Sequence, residues 1–536
     1  MRPGRLVDAP TAAAIGFGWL REALKPRSSY GEAAFGDLLP FAPHRAAQAR
    51  ARAARIERIA AALDSEQLDE AREVARHVPD VTSAIARASM GDVLEDANFF
   101  ELQRFFEACE RLDALTAACN DLPRTASTPL RECARVLESG RTARPGFYLA
   151  DAFDDSLAQV RAAFVRAQAQ YEAARGRANA AVAEELGREI SPPEFIVMRA
   201  DLRGPLPAGV RVVREAPTYL LCELDADETV LAALRRRDET AAEVARAEGS
   251  VRARISETIR AHVPALDHAM QAFGQCDVLI AAARFTRAQR CHVAELADDG
   301  VFSFEGGRFV PLALELQTQG RRFTAIDVRL DGIAVLTGPN MGGKSVALRT
   351  CGFIALCAAF GVPVPAARAR VPLFSEIAWL GIGGDGESSA GDLLSSFARE
   401  IVRLRDLLGR RAGPRLFLLD EFARTTTPRE GKALLVAVIE RLREEDASGF
   451  AATHLDGIAK AAAARHYAVR GLRGIPERPA GDDLEEALET LAASMDYTLE
   501  EVAADGAREA DAIALAALLG IDPAVIDAAH RAMESE

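Results

Sequence analysis

The stretch GIAVLTGPNMGGKSVALRT, residues 332–350, constrains the fold more than any other part of the chain. A short apolar run leads into a glycine-bracketed loop, and a lysine and a hydroxyl then open a helical pattern. The order is strand, phosphate loop, helix. Gly338, Gly343, Lys344 and Ser345 fill G-x-x-x-x-G-K-S. The glycines let backbone N–H groups curl around phosphate oxygens, and the helix N-terminus adds its positive end. In this arrangement Lys344 reaches the β- and γ-phosphates and Ser345 ligates Mg²⁺. The chain holds only four lysines among its 65 basic residues. Where arginine is the usual base, a lysine here marks a need for a compact point charge.

Further along, RLFLLDEFART places four apolar residues before Asp420 and Glu421. A buried strand ending in Asp suits a carboxylate that holds Mg²⁺ through its water shell, and the next Glu is placed to polarise an attacking water. GFAATHL supplies a later strand ending at Thr453 and His454. His454 is a candidate for the γ-phosphate or the water, against a capping or core role. Short apolar runs alternate with helical segments from about residue 276 onward. The alternation predicts an α/β domain, a mostly parallel sheet flanked by helices.

The remainder is helical. Residues 1–30, with Pro, Gly and Ser, suggest a loose leader, and 31–150 a helical core. Within that core Arg45, Arg50, Arg52, Arg55 and Arg58 form a basic run, either a solvated helix face or a phosphate-contacting one. Between 151 and 270, two helical stretches flank a proline- and glycine-rich segment near 190–225. Leu157, Val160, Phe164, Ala167 and Tyr171 form a heptad seam on the first. Each stretch, at 1.5 Å per residue, would run about 50 Å. The pattern predicts a long antiparallel helical arm with a β-like tip, or else a simple bundle. Residues 271–470 are expected to form the nucleotide domain, and 471–536 an insertion and short helices.

The net charge of −14 argues against general adhesion to nucleic acid or anionic membrane, though not against a local basic site. Eight scattered cysteines without a C-x-x-C pair point to buried, reduced thiols. No continuous apolar h-region opens the chain, and no apolar run reaches membrane-spanning length. The expectation is a cytoplasmic protein with no membrane partner.

The wording of the motifs is more specific than their spacing. TGPNMGGKS, LLDEFARTT and ATH, in this order, resemble the MutS family of ATPases. The resemblance implies a P-loop NTPase that binds and hydrolyses ATP with Mg²⁺. It adds the interior loop residues Pro339, Asn340, Met341 and Gly342 to the nucleotide site. GIGGDGESSAGDLLSSFAREI resembles the family's loop that crosses a dimer interface, which implies a homodimer with Ser395 and Ser396 acting on the partner's γ-phosphate. Phe323 aligns with an aromatic that stacks on adenine, and EGGRFVPLALE resembles a G-R-H-P segment with Phe309 in place of His. The helical core, arm and C-terminal helices correspond to the family's core, lever and clamp, and dimerising segments.

This sequence also departs from the family. Mismatch-sensing members carry extra N-terminal domains with a Phe-x-Glu wedge. Here Phe99-Phe100-Glu101 and Phe105-Phe106-Glu107 sit inside a helical pattern and are expected in the core. The family's G-R-G-T reads Ala423-Arg424-Thr425-Thr426. By resemblance the first function is an ATP-dependent DNA-binding protein of the repair or recombination type. Its arms would embrace duplex or branched DNA, with Arg199, Arg203, Arg211 and Arg214 at the tip. The alternative is a conformational ATPase acting on a protein, such as a reactivating component for a cobalamin-dependent aminomutase. A transporter-associated or chromosome-organising ATPase is disfavoured, because L-S-G-G-Q is missing.

Overall fold

In the computed structural model the chain divides into two units, Val78–Glu110 with Thr125–Met270, and Met1–His77 with Arg111–Arg124 and Gln271–Glu536. The residues described are 1–139, 146–190, 194–339, 342–381, 396–410, 413–472, 494–504 and 521–533, with single positions 513, 516 and 517.

The first unit is built on two long helices, Asp155–Leu186 and Glu228–Ala261. Each starts on an aspartate cap: Asp154 accepts from Ser156 N at 3.0 Å and Asp227 from Val230 N at 2.7 Å. These bonds satisfy N–H groups that a helix start leaves open. The first helix ends on Gly187 in the left-handed region. Arg161 meets Glu248 at 2.8 Å, and Tyr171 lies under Arg237 at 4.9 Å. One number rises as the other falls, so the helices run antiparallel. The seam read from sequence faces inward, with Leu157 and Ala167 buried and Val160, Phe164 and Tyr171 half-buried.

At the far end stands a three-stranded antiparallel sheet: β1 (Glu194–Met198), β2 (Val210–Glu215) and β3 (Tyr219–Leu224), with β3 central. Phe195, Val197, Leu220 and Cys222 pack on Val182 of the arm. Nearer the base, Phe99, Phe105 and Phe106 are buried, so the Phe-x-Glu look-alikes are core residues.

The second unit holds two sheets. β4 (Glu295–Leu296), β5 (Phe302–Gly307), β6 (Ile326–Leu330) and β8 (Arg368–Val371) form a small sheet in the order β4-β8-β5-β6. The larger sheet runs β13-β12-β7-β11-β10-β9. Its strands are β7 (Ile333–Thr337), β9 (Glu376–Gly381), β10 (Arg415–Asp420), β11 (Ser448–Ala452), β12 (His466–Leu472) and β13 (Met495–Val502). All its pairings are parallel except β12 with β13. Helices cover both faces, so the central strands are apolar throughout rather than alternating. Phe417 and Leu419 face Leu435, Val438 and Ile439 of the helix Pro428–Glu444. On the opposite face Leu418 meets Gly352 of the helix Lys344–Ala359.

Residues 1–30 correct the expectation of a loose leader. They contain the helices Ala9–Ala14 and Phe17–Ala23, and Ile15 and Leu20 are fully buried. Pro, Gly and Ser serve here as helix punctuation. Asp8 caps the first helix with Pro10 in its first turn, Gly16 opens the second with positive φ, and Ser28 caps a third. Leu6 O accepts from Ile377 N at 2.7 Å, and Thr11 Oγ1 accepts from Trp379 N at 3.0 Å, tying the segment to β9.

All eight cysteines are buried, and none of them forms a disulfide. Among the described residues no helix is long and apolar enough to cross a membrane.

Candidate functional site

Parallel strands bring the separated motifs to one edge. β7 lies beside β11 and β11 beside β10, with Asp420 opposite Ala452 and Leu336 opposite Ala452 from the other side. The residues that follow each strand end therefore meet at the carboxyl ends of the strands, where open α/β sheets bind ligands.

Gly343 sits at the N-cap of the helix Lys344–Ala359 with φ 84°, and an added Cβ would stand 3.1 Å from the Tyr497 ring. At Gly338, φ is 151° and a Cβ would meet Val469 at 2.9 Å. Both positions need glycine for space as well as conformation. Lys344 is 5% exposed; its Nζ donates to Gly338 O at 2.8 Å and Pro339 O at 3.1 Å. Glu421 Oε1 lies 3.8 Å from the same nitrogen. Burial lowers the lysine pKa from its ordinary value, while Glu421 and Asp420 pull it upward.

Ser345 Oγ donates to Asp420 Oδ1 at 3.0 Å, across two elements far apart in sequence. Burial raises the Asp420 pKa most; the Ser345 bond opposes it, Glu421 adds to it, and Arg349 and Lys344 oppose it. A hydroxyl and a carboxylate in contact at the foot of this glycine-bracketed loop are the hard oxygen donors that suit a cation such as Mg²⁺.

Glu421 has φ 53°, in the left-handed region, and its N–H donates to Ala452 O at 3.0 Å. A non-glycine residue held there stores strain of the kind that collects at functional positions. Its carboxylate accepts from Arg424 Nη1 at 3.2 Å. Ala423 also has positive φ, 63°, at a position where the sequence resemblance places glycine. Its methyl is 2% exposed in the core cluster, so burial offsets part of the conformational cost.

The structure gathers Lys344, Ser345, Asp420 and Glu421. His454, exposed, shares a small cleft with Glu421, Arg424 and Thr453. Gly342 N donates to Pro339 O at 3.0 Å, tightening the loop. Asn340, Met341 and Ser395 lie outside the described residues. Ser396 begins the helix Ser396–Leu408. Phe323 is half-buried in the irregular segment before β6. Phe309 is buried against Phe353, ring centroids 5.7 Å apart.

Three further residues border the loop. His466 Nδ1 donates to Ala503 O at 3.0 Å, which leaves Nε2 to accept from Thr337 Oγ1 at 2.8 Å, one residue before Gly338. Tyr497 faces Gly343. Arg349, one helical turn beyond Ser345, stacks on Trp379 at 5.9 Å. Helical spacing from Ser345 was the available signal for Arg349. His466 and Tyr497 come from strand pairing, which local pattern does not encode.

The model of MutS domain V matches residues 334–535, spanning the glycine-bracketed loop, acidic pair and His454. Endonuclease MutS2 of Halothermothrix orenii is 34% identical over 210 residues, 38% of this chain and 25% of that protein. Endonuclease MutS2 of an Anaeromyxobacter species is 28% identical over 405 residues, 71% of this chain and 49% of the relative. That of Pelotomaculum thermopropionicum is 27% identical over 328 residues, 58% and 39% respectively. The chain thus spans from a quarter to about half the length of these relatives. The matched domain covers the loop, acidic pair and histidine, and the likeness to MutS2 proteins reaches well upstream of it, so this chain is similar to the MutS family over its C-terminal part and much of what precedes it.

Proposed function

We propose that the protein hydrolyses ATP at the site built from Gly338–Ser345, Asp420, Glu421 and His454, as a homodimer that couples turnover to movement of its helical arms on DNA. The observation that carries the reading is the Ser345–Asp420 contact at 3.0 Å with Lys344 held between the loop carbonyls and Glu421. ATP hydrolysis is the activity expected at family level, and the residue roles rest on this geometry.

Phosphate oxygens would compete with the Gly338 and Pro339 carbonyls for Lys344 Nζ, drawing the ammonium onto the β- and γ-phosphates. The first-turn N–H groups of the helix, which lack intrahelical acceptors, would face the same oxygens. Ser345 and Asp420 would hold Mg²⁺, which supplies charge neutralisation across the β- and γ-phosphates. Glu421 orients the attacking water and accepts its proton as the bond from the γ-phosphorus to the bridging oxygen breaks, giving ADP and phosphate. His454 stands at the mouth of the same cleft. Phe323 for adenine, and Ser395 and Ser396 from the partner subunit, complete the proposed site.

A protein partner is the second reading, and one observation favours it. The tip exposes Ile196, Met198 and Val213 at 46%, 41% and 48%. Its Arg199 already pairs with Glu215, and Arg211 with Glu223. The deciding experiment measures ATP turnover of wild type, Lys344→Ala and Glu421→Gln, with ATP-dependent binding to homoduplex and branched DNA across a salt series. Undiminished turnover in both variants would refute the site. Binding that ignores salt would refute the phosphate grip and favour the protein partner.

A further inference from the structure

The basic run of the helix Ala46–Ala62 resolves into unlike arginines. Arg58 makes a bidentate pair with Asp121, at 3.0 and 2.7 Å, and Arg55 Nε donates to Asp121 O at 2.6 Å. Arg45 bonds Gln48 and covers the Phe41 ring, and Arg50 is exposed. Arg52 differs from all four. Its Nε is buried and has no hydrogen-bond partner among the described residues. The charge acting on it is Arg55, of like sign; burial first and that repulsion second lower its pKa to about 10. The residue as a whole is half-buried, and an anion at this place would both accept from the buried Nε and offset the desolvation of the charge.

Arg52 borders a cleft of 390 Å³ whose apolar wall includes Leu38, Ala51, Val278 and Leu279, with Arg55 and Gln275 as its other polar lining. That volume falls in the range of small-molecule sites, and an apolar lining with few polar groups is their usual make-up. The arginine stem is also fixed in place. Gly361, at φ 61° just beyond the helix Lys344–Ala359, leaves room for it, since a Cβ there would stand 3.1 Å from Arg52 Cδ.

We propose that this cleft binds a small monocarboxylate with an apolar body, its head on Arg52 and its tail along Leu38, Val278 and Leu279. With Arg55 already bonded to Asp121 O, Arg52 is the lining cation whose Nε lacks a partner among the described residues, which matches a single negative charge better than a phosphate or a polyanion. The site is independent of the nucleotide reading.

The test is isothermal titration calorimetry of the full chain with sodium octanoate, acetate and 1-octanol. Octanoate should give saturable one-site binding, and acetate and octanol, each half of the ligand, should bind at least about tenfold more weakly. Arg52→Met should weaken octanoate at least about tenfold, and Arg52→Lys by less. Ala51→Trp, at an exposed rim position, should block the cleft without disturbing the fold, so it decides the matter if Arg52→Met does not fold. Absence of saturable octanoate binding, equal affinity in Ala51→Trp or Arg52→Met, or acetate or octanol matching octanoate would overturn the proposal.

Discussion

Lys344 and the arm-tip arginines are all cations in an acidic protein, yet they are held in opposite ways. Lys344 is buried, bonded to two carbonyls and faced by two carboxylates, in a place where burial acts against its charge. Arg199, Arg203, Arg211 and Arg214 stand in solvent, two of them in surface ion pairs that contribute little to stability. A fold carries a charge at a loss only where something else depends on it. Strained and desolvated groups gather at the loop and not at the tip, which makes the loop the stronger candidate for a functional site.

The widest gap should appear when the loop is relieved of its charges. Asp420→Asn and Lys344→Met should each lower ATP turnover at least about a hundredfold. The nucleotide-free protein should nevertheless melt at a higher temperature, because each substitution removes an ion that burial disfavours. Scanning calorimetry beside a turnover assay would check both; a lower melting temperature in both variants would break the contrast. The signs follow from linkage. The raised Asp420 lets the unfolded chain release its proton first, so stability falls as pH climbs from 3.8 to the folded value and is level above it. The lowered Lys344 makes the folded chain release first, so stability rises between its folded value and 10.5. The advantage of Asp420→Asn should therefore vanish below the acidic window.

The tip offers a medium effect. If Arg203 and Arg214 touch phosphates, losing both should reduce the salt slope of DNA binding by about two, measured by titration at several ionic strengths. Arg199→Ala, already paired with Glu215, should change it less. A double variant with an unchanged slope would assign the tip to a protein. Smallest is Ala423→Gly: relief at φ 63° and loss of a buried methyl oppose each other. Denaturant unfolding should move by less than about 1 kcal/mol.

The same contrast explains what could be read in advance. RLFLLD forms a strand buried at every residue, and GPNMGGKS precedes a helix, because both are dictated locally by apolar runs and glycine freedom. The alternation of strand and helix also forecasts the parallel sheet. The two arm helices and their seam followed from periodicity. Residues 1–30 did not, since helices of six and seven residues have too few turns to show a period. Their partners stand on β9, far along the chain. The His466–Thr337 bond escaped for a related reason, as it exists only once β12 pairs with β7. Strand order is a property of the assembled sheet.

The attachment of the first helices to β9 also sets a schedule. Thr11 and Trp379 are 368 residues apart. At 5–20 residues per second a ribosome needs roughly 20 to 70 s to deliver the second after the first. Throughout that interval the helix Ala9–Ala14 has no β9 to bond, and Ile15 lacks Gly352 of the helix Lys344–Ala359. Yield in a cell should therefore respond to chaperone supply more than the finished stability would suggest, measurable as soluble protein with and without chaperone overexpression.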